Sequence, residues 1–295
     1  MSTFIHPTAL VDKDAKIGAG CYIGAFSTVG SEVSLDAGVR LESHVVVDGR
    51  TKIGKDTHIF PFVSIGLAPQ DLKYANEPTS TEIGERNQIR EFVTIHRGTS
   101  GGGGVTRIGN DNLLMAQAHV AHDCQLGSGI IMANAATLAG HVEVADRASI
   151  GAYSGIHQFC RVGELAMVGG LTYVRQDAPP FFMYDESGYC AGINAVGLRR
   201  AGCKPEERAE LKVAYRRLYR TIGTWTDAVT DLAQTLQHPA GRRLVEFLQA
   251  PSKRGFLSRG VPRGQTLEPD EPASAPPILK LRTSGVALCG PNQVS

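Results

Sequence analysis

Aliphatic side chains recur at every sixth position through most of the chain up to Val174. One run of eleven such positions extends from Ile5 to Ile65, and another of twelve extends from Ile108 to Val174. A strand alternates with a period of two and a helix with a period of about 3.6, so neither a β-meander nor a helical array explains a period of six. The period is typical of hexapeptide repeats, and we predict an all-β solenoid, a parallel β-helix, over residues 1–178.

Each hexapeptide of such a solenoid forms one flat side. Three sides complete a triangular coil of about 18 residues, stacked about 4.8 Å from the next coil. The aliphatic repeat residue of each side points inward. Glycine accounts for 34 of the 295 residues and directly follows the repeat residue at places such as Gly18, Gly24 and Gly54. We expect these glycines to occupy corners where φ is positive.

The six-residue period is interrupted twice, and each interruption predicts a loop that leaves the solenoid. The first loop covers residues 67–82, and the second, which contains four consecutive glycines, covers residues 97–107. Long excursions from a regular scaffold usually carry function. We therefore expect both loops to lie beside a functional site.

The sequence changes character after the repeats. A connector over residues 179–204 begins with a pair of prolines, and apolar residues at helical spacing then predict an α-helical domain over residues 205–250. A solenoid needs a cap on its open end, so we expect these helices to cover the last coil. Residues 251–295 contain seven prolines and few apolar clusters, which predicts a disordered tail.

Charge and composition argue against several classes of protein. The 30 basic and 29 acidic residues give a net charge of +1, which does not favour a nucleic-acid-binding protein. No apolar run approaches the length of about 18 residues that a spanning helix needs, so we expect no stable membrane insertion. The six cysteines show no CxxC spacing and residues 1–10 show no secretory signal, so we expect free thiols and a cytoplasmic location.

Eight of the nine histidines fall in the repeat region. When the chain is projected on a coil of about 18 residues, with a correction for the glycine-rich loop, all eight fall in one sector. The four histidines after that loop need no correction and predict a row along one edge of the solenoid: His119, His122, His141 and His157.

Three interpretations of this row stay open from the residues alone. Each ring can be structural, at a corner where it bonds to the backbone. Imidazoles from adjacent coils can also converge on zinc, although no additional cysteine or carboxylate cluster accompanies them. The third interpretation is acid–base chemistry, because histidine titrates near neutrality. In that case Asp123 would orient the ring of His122, and Gly140 would offer its N–H to a developing oxyanion.

Eight short stretches carry a specific resemblance. They are residues 70–74 (QDLKY), 89–91 (IRE), 94–99 (TIHRGT), 111–115 (DNLLM), 118–124 (AHVAHDC), 139–142 (AGHV), 157–160 (HQFC) and 167–170 (MVGG). In these stretches the chain resembles the bacterial UDP-N-acetylglucosamine 3-O-acyltransferases, a family of hexapeptide-repeat enzymes that catalyse the first step of lipid A biosynthesis.

The resemblance implies a left-handed β-helix with a C-terminal α-helical cap, a homotrimer, and active sites in clefts between subunits. The implied reaction moves a 3-hydroxyacyl chain from acyl carrier protein to the glucosamine 3-hydroxyl of UDP-N-acetylglucosamine, with no cofactor and no metal. By position, His122 matches the general base, Asp123 its orienting carboxylate and Gly140 the oxyanion N–H. Gly170 matches the residue that limits acyl-chain length. The residues that match substrate contacts are Gln70, Asp71, Lys73, His96, His119, His141, His157, Gln158, Asn194 and Arg200.

One residue departs from the family pattern. The family has a glutamate two residues after the asparagine that matches Asn194, and this chain has Val196 there. Loss of a carboxylate near the substrate leaves open an acceptor whose 3-hydroxyl is replaced by an amine, which would give an amide product. Two further alternatives also stay open: a hexapeptide acetyltransferase that uses acetyl-CoA, and a non-catalytic β-helical trimer.

Overall fold

The structure is a computed structural model that describes residues 2–186 and 188–258. Three sheets of short strands, here called A, B and C, form most of it, and successive strands of the solenoid fall on A, B and C in turn. Sheet A has 11 strands, sheet B has 9 and sheet C has 8. The strands are Phe4–Ile5 (β1), Leu10–Val11 (β2), Lys16–Ile17 (β3), Tyr22–Ile23 (β4), Thr28–Val29 (β5), Ser34–Leu35 (β6), Arg40–Leu41 (β7), Val46–Val47 (β8), Arg50–Ile53 (β9), His58–Ile59 (β10), Ser64–Leu67 (β11), Ser80–Ile83 (β12), Gln88–Ile89 (β13), Thr94–His96 (β14), Val105–Ile108 (β15), Leu113–Leu114 (β16), His119–Val120 (β17), Gln125–Leu126 (β18), Ile131–Met132 (β19), Thr137–Leu138 (β20), Glu143–Val144 (β21), Ser149–Ile150 (β22), Gly155–Ile156 (β23), Arg161–Val162 (β24), Met167–Val168 (β25), Tyr173–Val174 (β26), Phe182–Tyr184 (β27) and Cys190–Ile193 (β28).

The predicted parallel β-helix is confirmed, and the six-residue period is its inward ladder. Strands of consecutive regular coils pair in parallel 18 residues apart, as Phe4 does with Tyr22. From Ile23 to Val174 each repeat residue is at most 5% exposed. Burial of one such aliphatic side chain contributes at most about 3 kcal/mol. Ile5 is 44% exposed, because the first coil is covered on one side only.

The expectation that glycines after repeat residues have positive φ was wrong at Gly18. Most left-handed corners carry other residues, with φ of 60° at Phe26, 61° at Asp123 and 61° at His141. At Gly18 an added Cβ would lie 2.6 Å from the backbone nitrogen of Ala37 in the next coil. Glycine is needed there because neighbouring coils approach closely, not because of an unusual φ.

Both loops are shorter than predicted, because residues at their ends belong to strands. The first loop is residues 68–79 and the second is residues 97–104. The strands that follow them, β12 and β15, pair with each other in parallel. A single 3₁₀ turn, Ser100–Gly102, lies inside the second loop. The two loops therefore leave neighbouring coils from the same edge of the solenoid.

The first loop also removes three histidines from the predicted sector. It adds twelve residues between the paired strands β9 and β12. Twelve is a multiple of six, so aliphatic residues still recur at every sixth position after the loop. Each later side of the coil, however, falls in a different sheet from the one that an uninterrupted count of 18 residues per coil would give. His58 consequently lies in sheet A whereas His119 lies in sheet B. The single-sector prediction was wrong for the histidines before this loop, which are His6, His44 and His58.

The predicted helices cap the solenoid. They are α2 (Pro205–Tyr219), α3 (Trp225–Thr235) and α4 (Pro239–Gln249). The connector before them is more regular than predicted, since β27 continues sheet A beyond β25, β28 pairs antiparallel with β27, and helix α1 (Ala195–Arg200) follows. These elements are too short for a periodicity to reveal them. None of the helices in the described ranges is long and apolar enough to cross a membrane.

The prediction of a disordered tail was wrong for its first eight residues, 251–258. Their backbone returns along the last coil of the solenoid. The Asp177 N–H donates to the Gly255 carbonyl oxygen at 2.8 Å, and the Leu257 N–H donates to the Asp177 carbonyl oxygen at 2.8 Å. Residues 259–295 of the predicted tail lie outside the described residues.

Candidate active site

His122 and Asp123 occupy the turn after β17, on the edge where sheet B meets sheet C. Asp123 has a φ of 61°, a left-handed conformation that aspartate tolerates better than most residues. The Nδ1 atom of His122 lies 2.8 Å from Asp123 Oδ2. The His122 side chain is 15% exposed and the Asp123 side chain is fully buried. The turn thus brings these consecutive side chains together.

The second loop holds the Asp123 carboxylate in place. Thr99 donates two hydrogen bonds to it, from its N–H to Oδ1 at 2.9 Å and from its hydroxyl to Oδ2 at 2.7 Å. The Asp123 N–H donates to Thr106 Oγ1 at 2.8 Å. Burial raises the pKa of Asp123, but the hydrogen bonds from His122 and Thr99 outweigh burial and lower that pKa below its usual value. An ionised Asp123 accepts from His122 Nδ1 and so leaves Nε2 as the free nitrogen of the ring.

Gly140 lies on the next coil, directly beside the His122 ring. A Cβ at this position would lie 2.6 Å from Cε1 and 2.7 Å from Nε2 of His122. Any side chain here would therefore displace the ring. Within the described residues the Gly140 N–H donates no hydrogen bond. It is available to an oxyanion that forms beside His122.

Two more rings continue the row from His122. The His141 ring meets the His122 ring edge-on with centroids 5.0 Å apart, and Phe159 stacks on His141 at 4.4 Å. Burial lowers the pKa of His141, although the negative charges of Asp123 and Asp71 act in the opposite direction. A neutral imidazole at this place can both donate and accept hydrogen bonds from a sugar hydroxyl.

His96 and His119 form a second pair of rings close to His122. Their rings cross edge-on at 5.0 Å, and Thr94 Oγ1 lies 2.6 Å from His119 Nδ1. Burial, together with the charges of His119 and His122, lowers the pKa of His96 to about 4. Burial also lowers the pKa of His119. Among the described residues the buried Nδ1 of His96 has no hydrogen-bond partner, so a polar atom remains unsatisfied near the turn of His122 and Asp123.

The first loop contributes the predicted contacts Gln70, Asp71 and Lys73. Gln70 and Lys73 are exposed, and the Asp71 carboxylate is near enough to act on the pKa of His141. The Lys73 N–H donates to Asp71 Oδ1 at 3.0 Å, which fixes the turn of the loop. One coil beyond His141 lie the predicted residues His157 and Gln158.

Within a single chain, Asn194 has a structural role. It is 7% exposed and caps α1. Its Oδ1 accepts from the Gly197 N–H at 2.9 Å, and its Nδ2 donates to the Leu165 carbonyl oxygen at 3.0 Å. Arg200 is exposed at the end of the same helix. Their predicted contacts with substrate stay predictions.

Gly170 lies on the edge where sheet A meets sheet B, away from His122 within one chain. An added Cβ would approach no atom closer than the Ala152 carbonyl oxygen, at 3.4 Å. Leu171 beside it is 68% exposed and does not fill this space. The position therefore has room for a side chain, which the predicted control of chain length requires.

The zinc interpretation finds a partial cluster. His122, Asp123 and His141 offer ligand atoms within 4.8 Å of one another. The Asp123 carboxylate, however, already accepts from His122 and from both donors of Thr99. A zinc ion bound to Asp123 would have to replace these hydrogen bonds. The contacts favour an acid–base site over a metal site.

The cysteines near the site are packed. Cys124 and Cys160 are buried, and burial raises the pKa of each thiol to about 12. A thiol with such a pKa supplies almost no thiolate at neutral pH. Neither residue is suited to act as a nucleophile.

Sequence reasoning missed three residues of the site: Thr99, Thr106 and Phe159. Thr99 and Phe159 lie inside stretches that carried the family resemblance, so those stretches held the signal. Their roles depend on which coil lies beside which. That neighbour relation follows from the loop lengths, and no residue pattern displays it.

A protein-family model described as UDP N-acetylglucosamine O-acyltransferase, domain 2, matches residues 177–257. This stretch includes the cap helices and the segment that returns along the solenoid.

Several solved structures match most of the chain. LpxA from Bacteroides fragilis, a UDP-N-acetylglucosamine acyltransferase, is 37% identical, with 86% of this chain and 99% of that chain covered and a TM-score of 0.83. The Francisella novicida UDP-N-acetylglucosamine acyltransferase is 37% identical, with 87% and 94% covered and a TM-score of 0.83. The Moraxella catarrhalis UDP-N-acetylglucosamine O-acyltransferase is 40% identical, with 86% and 99% covered and a TM-score of 0.83. These likenesses confirm the predicted fold, a left-handed parallel β-helix with a C-terminal α-helical cap.

Proposed function

The chain belongs to the family of UDP-N-acetylglucosamine O-acyltransferases, and from this membership we propose that it catalyses the first step of lipid A biosynthesis. In that step a 3-hydroxyacyl chain moves from acyl carrier protein to the glucosamine 3-hydroxyl of UDP-N-acetylglucosamine. One observation carries the proposal at the level of residues. A base, its orienting carboxylate and an oxyanion donor meet on two adjacent coils, as His122, Asp123 and Gly140.

His122 is the general base in this proposal, and it acts through Nε2 because Asp123 holds Nδ1. As the sugar hydroxyl attacks the thioester carbonyl, a C–O bond forms and Nε2 takes the hydroxyl proton. The oxyanion of the tetrahedral intermediate accepts from the Gly140 N–H. The C–S bond then breaks, and the imidazolium returns its proton to the leaving thiolate. A positioned base contributes about 10²–10⁴ in rate and an oxyanion donor about 10²–10³.

We assign the acceptor and the acyl chain to the groups around this turn. Imidazoles that burial keeps neutral can orient sugar hydroxyls as donors and acceptors. Arg200 suits a nucleotide phosphate, because a guanidinium bonds phosphate oxygens with two parallel donors. The proposed substrate contacts are Gln70, Asp71, Lys73, His96, His119, His141, His157, Gln158, Asn194 and Arg200, and Gly170 would limit the acyl chain.

Acyl carrier protein is the proposed donor, and a basic surface is suited to dock this acidic protein. The end of α1 and the start of α2 carry exposed cations, which are Arg199, Arg200 and Lys204. Arg216, near the end of α2, is also exposed. Complementary charge of this kind speeds encounter between the two proteins and makes it sensitive to salt.

A homotrimer is the proposed assembly. A single chain exposes an apolar row along the edge between sheets A and B, with side chains 50–68% exposed. A row of this kind on a free surface marks an interaction site. Its members are Phe26, Phe62, Phe92, Tyr153 and Leu171. In a trimer this row would pack against other copies, and clefts between copies would complete the catalytic edges.

Val196 supports an alternative acceptor. It is 48% exposed at the start of α1, where a glutamate side chain would also have room. Packing within the chain therefore does not explain why valine stands in place of the family glutamate. An acceptor with a 3-amine in place of the 3-hydroxyl would give an amide by the same steps. Acetyl-CoA as the donor is the second alternative.

The decisive experiment is product analysis by mass spectrometry. The purified chain is given a mixed pool of 3-hydroxyacyl-carrier-protein thioesters of several lengths, together with acetyl-CoA, and either the 3-hydroxyl or the 3-amino acceptor. We expect the 3-O-acylated nucleotide from a carrier-protein donor. An amide product as the faster reaction, or acetylation alone, would replace the proposal by the corresponding alternative.

We also propose a cytoplasmic location. The cysteines in the described ranges are free, as a reducing compartment keeps them. Nucleic acid and stable membrane insertion have no part in the proposed reaction. Fractionation of cells that express the tagged chain tests the location.

A further inference from the structure

The segment of residues 251–258, here called the return segment, is fixed against both the cap and the solenoid. The Phe256 ring lies 5.7 Å from that of Trp225 and 6.2 Å from that of Phe247. Arg254 Nε donates to the Gln158 carbonyl oxygen at 3.0 Å, across a sequence separation of 96 residues. Lys253 precedes Arg254, so its backbone is held between α4 and the catalytic edge.

Lys253 lies one ring away from His141. Its ammonium is 4.7 Å from the centre of the Phe159 ring, and the His141 ring stacks on the same Phe159 ring with centroids 4.4 Å apart. After burial and the charges of Asp123 and His122, the positive charge of Lys253 also acts on the pKa of His141 and lowers it.

A cavity of about 390 Å³ opens between Lys253 and the second loop. Asp123 and His141 form part of its wall, so the cavity begins at the catalytic turn. An added Cβ on Gly101 or Gly103 would meet no atom within 4 Å, which leaves this side of the cavity open to a ligand.

The cavity has two other cations, and both are neutralised by carboxylates. Arg107 Nε lies 2.8 Å from Glu82 Oε2, and Arg161 Nε lies 2.7 Å from Asp177 Oδ2. Among the described residues Lys253 forms no ion pair within 4.0 Å, although Glu143 lies on the same wall of the cavity. Its charge is therefore available to an anion.

We propose that Lys253 binds a phosphate group of a substrate in this cavity, a role that rests on the proposed function. Both proposed substrates carry phosphate: the acceptor as a nucleotide diphosphate, the donor as the phosphodiester of its prosthetic arm. An ammonium is a compact point charge that binds phosphate without a fixed fork geometry. Only the rings of Phe159 and His141 separate this charge from the proposed base His122, so Lys253 would hold a substrate close to the place of transfer.

The test compares Lys253→Met and Lys253→Arg with a matched control, Lys13→Met, on the exposed first coils. We expect Lys253→Met to raise KM at least tenfold for one substrate with kcat within twofold of wild type. Lys253→Arg should restore most of the affinity. If the nucleotide is the ligand, KM for UDP-N-acetylglucosamine rises. If the donor arm is the ligand, Lys253→Met raises KM for an acyl-phosphopantetheine donor relative to wild type. The same substitution then leaves KM unchanged for acyl-pantetheine, which lacks the phosphate.

Binding of UDP and of phosphopantetheine is measured on the same proteins by calorimetry, without turnover. A tenfold weaker binding of either compound to Lys253→Met supports the phosphate role even if the wild-type chain shows no acyl transfer, an outcome that would sink the proposed function alone. Binding constants and KM values within twofold of those of Lys13→Met overturn the proposal for Lys253. So does an equal loss in Lys253→Met and Lys253→Arg, because the charge then has no part.

Discussion

The imidazole of His122 fills the space that a side chain at residue 140 would need. A Cβ on Gly140 would lie 2.6 Å from Cε1 and 2.7 Å from Nε2 of that ring. The two residues are on neighbouring coils and so have no local connection in the sequence. The position of the proposed base is consequently set from two sides, by Asp123 at Nδ1 and by the bare backbone of the next coil.

Gly140→Ala should lower kcat at least 100-fold. The methyl group would push the His122 ring off Asp123 and away from the Gly140 N–H, which removes general-base and oxyanion assistance together. We expect the free energy of unfolding to fall by only about 1 kcal/mol, since the His122 ring is partly exposed and can rotate toward solvent. Steady-state kinetics and urea unfolding measure the two quantities. Activity near that of wild type would show that the close approach has no catalytic meaning.

His122→Ala should lower kcat by two orders of magnitude or more while the chain stays folded, because the positioned general base is lost. His6→Ala, in the first coil, is the control and should keep wild-type activity. Circular dichroism confirms that both variants are folded. Substantial turnover by His122→Ala would remove His122 from the proposed mechanism.

Thr99→Val should reduce kcat/KM about tenfold. The variant loses the hydroxyl donor to Asp123 Oδ2, so the carboxylate that orients the His122 ring is held less firmly. Thr99→Ser keeps the donor and should restore the wild-type kcat/KM. A kcat/KM that is unchanged in Thr99→Val would mean that Thr99 only stabilises the loop.

His96 should make the protein less stable as the pH falls below about 6.5. Its pKa is lowered to about 4 in the folded chain, so between these values the unfolded chain binds a proton that the folded chain does not. The contribution of His96 to the unfolding free energy is complete above the pKa that this residue has in the unfolded chain. It is lost as the pH falls toward 4. By pH 5 the loss should reach about 2 kcal/mol relative to pH 7.5.

The measurement is urea unfolding at pH 7.5 and pH 5 of the wild type and of His96→Gln. Other groups titrate in both proteins, so the difference between the two pH effects isolates His96. Equal pH effects in the two proteins would contradict a buried, neutral His96.

Gly170→Met should shift the donor preference toward shorter 3-hydroxyacyl chains. The open space beside Gly170 would be filled by the new side chain, and each methylene that loses its burial costs about 0.8 kcal/mol. The wild type should accordingly prefer longer chains. The ratio of products from a mixed donor pool measures this preference independently of total activity. A product ratio that the substitution leaves unchanged would make Gly170 a turn glycine only.

The fold could be predicted from the sequence because its core is built from local repeats. Inward positions such as Ile59 and Leu114 recur by simple counting, and a buried aliphatic ladder needs no other information. The His122–Asp123 contact could be predicted for the same reason, since the two residues are adjacent at a turn. Handedness came from the family resemblance, because the period is the same for either hand.

What the sequence alone determined is thus the solenoid, its inward ladder, the cap helices and the adjacent pair at the proposed site. Only the tertiary structure decided which coil lies against which. The twelve-residue insertion of the first loop preserves the period while it changes the sheet, so His58 and His119 cannot be placed by counting. The contacts of Gly140 with His122, of Thr99 with Asp123 and of Lys253 with Phe159 join distant parts of the chain. They form because the coils stack on one another and because residues 251–258 run back along the solenoid. No local sequence pattern encodes such proximity.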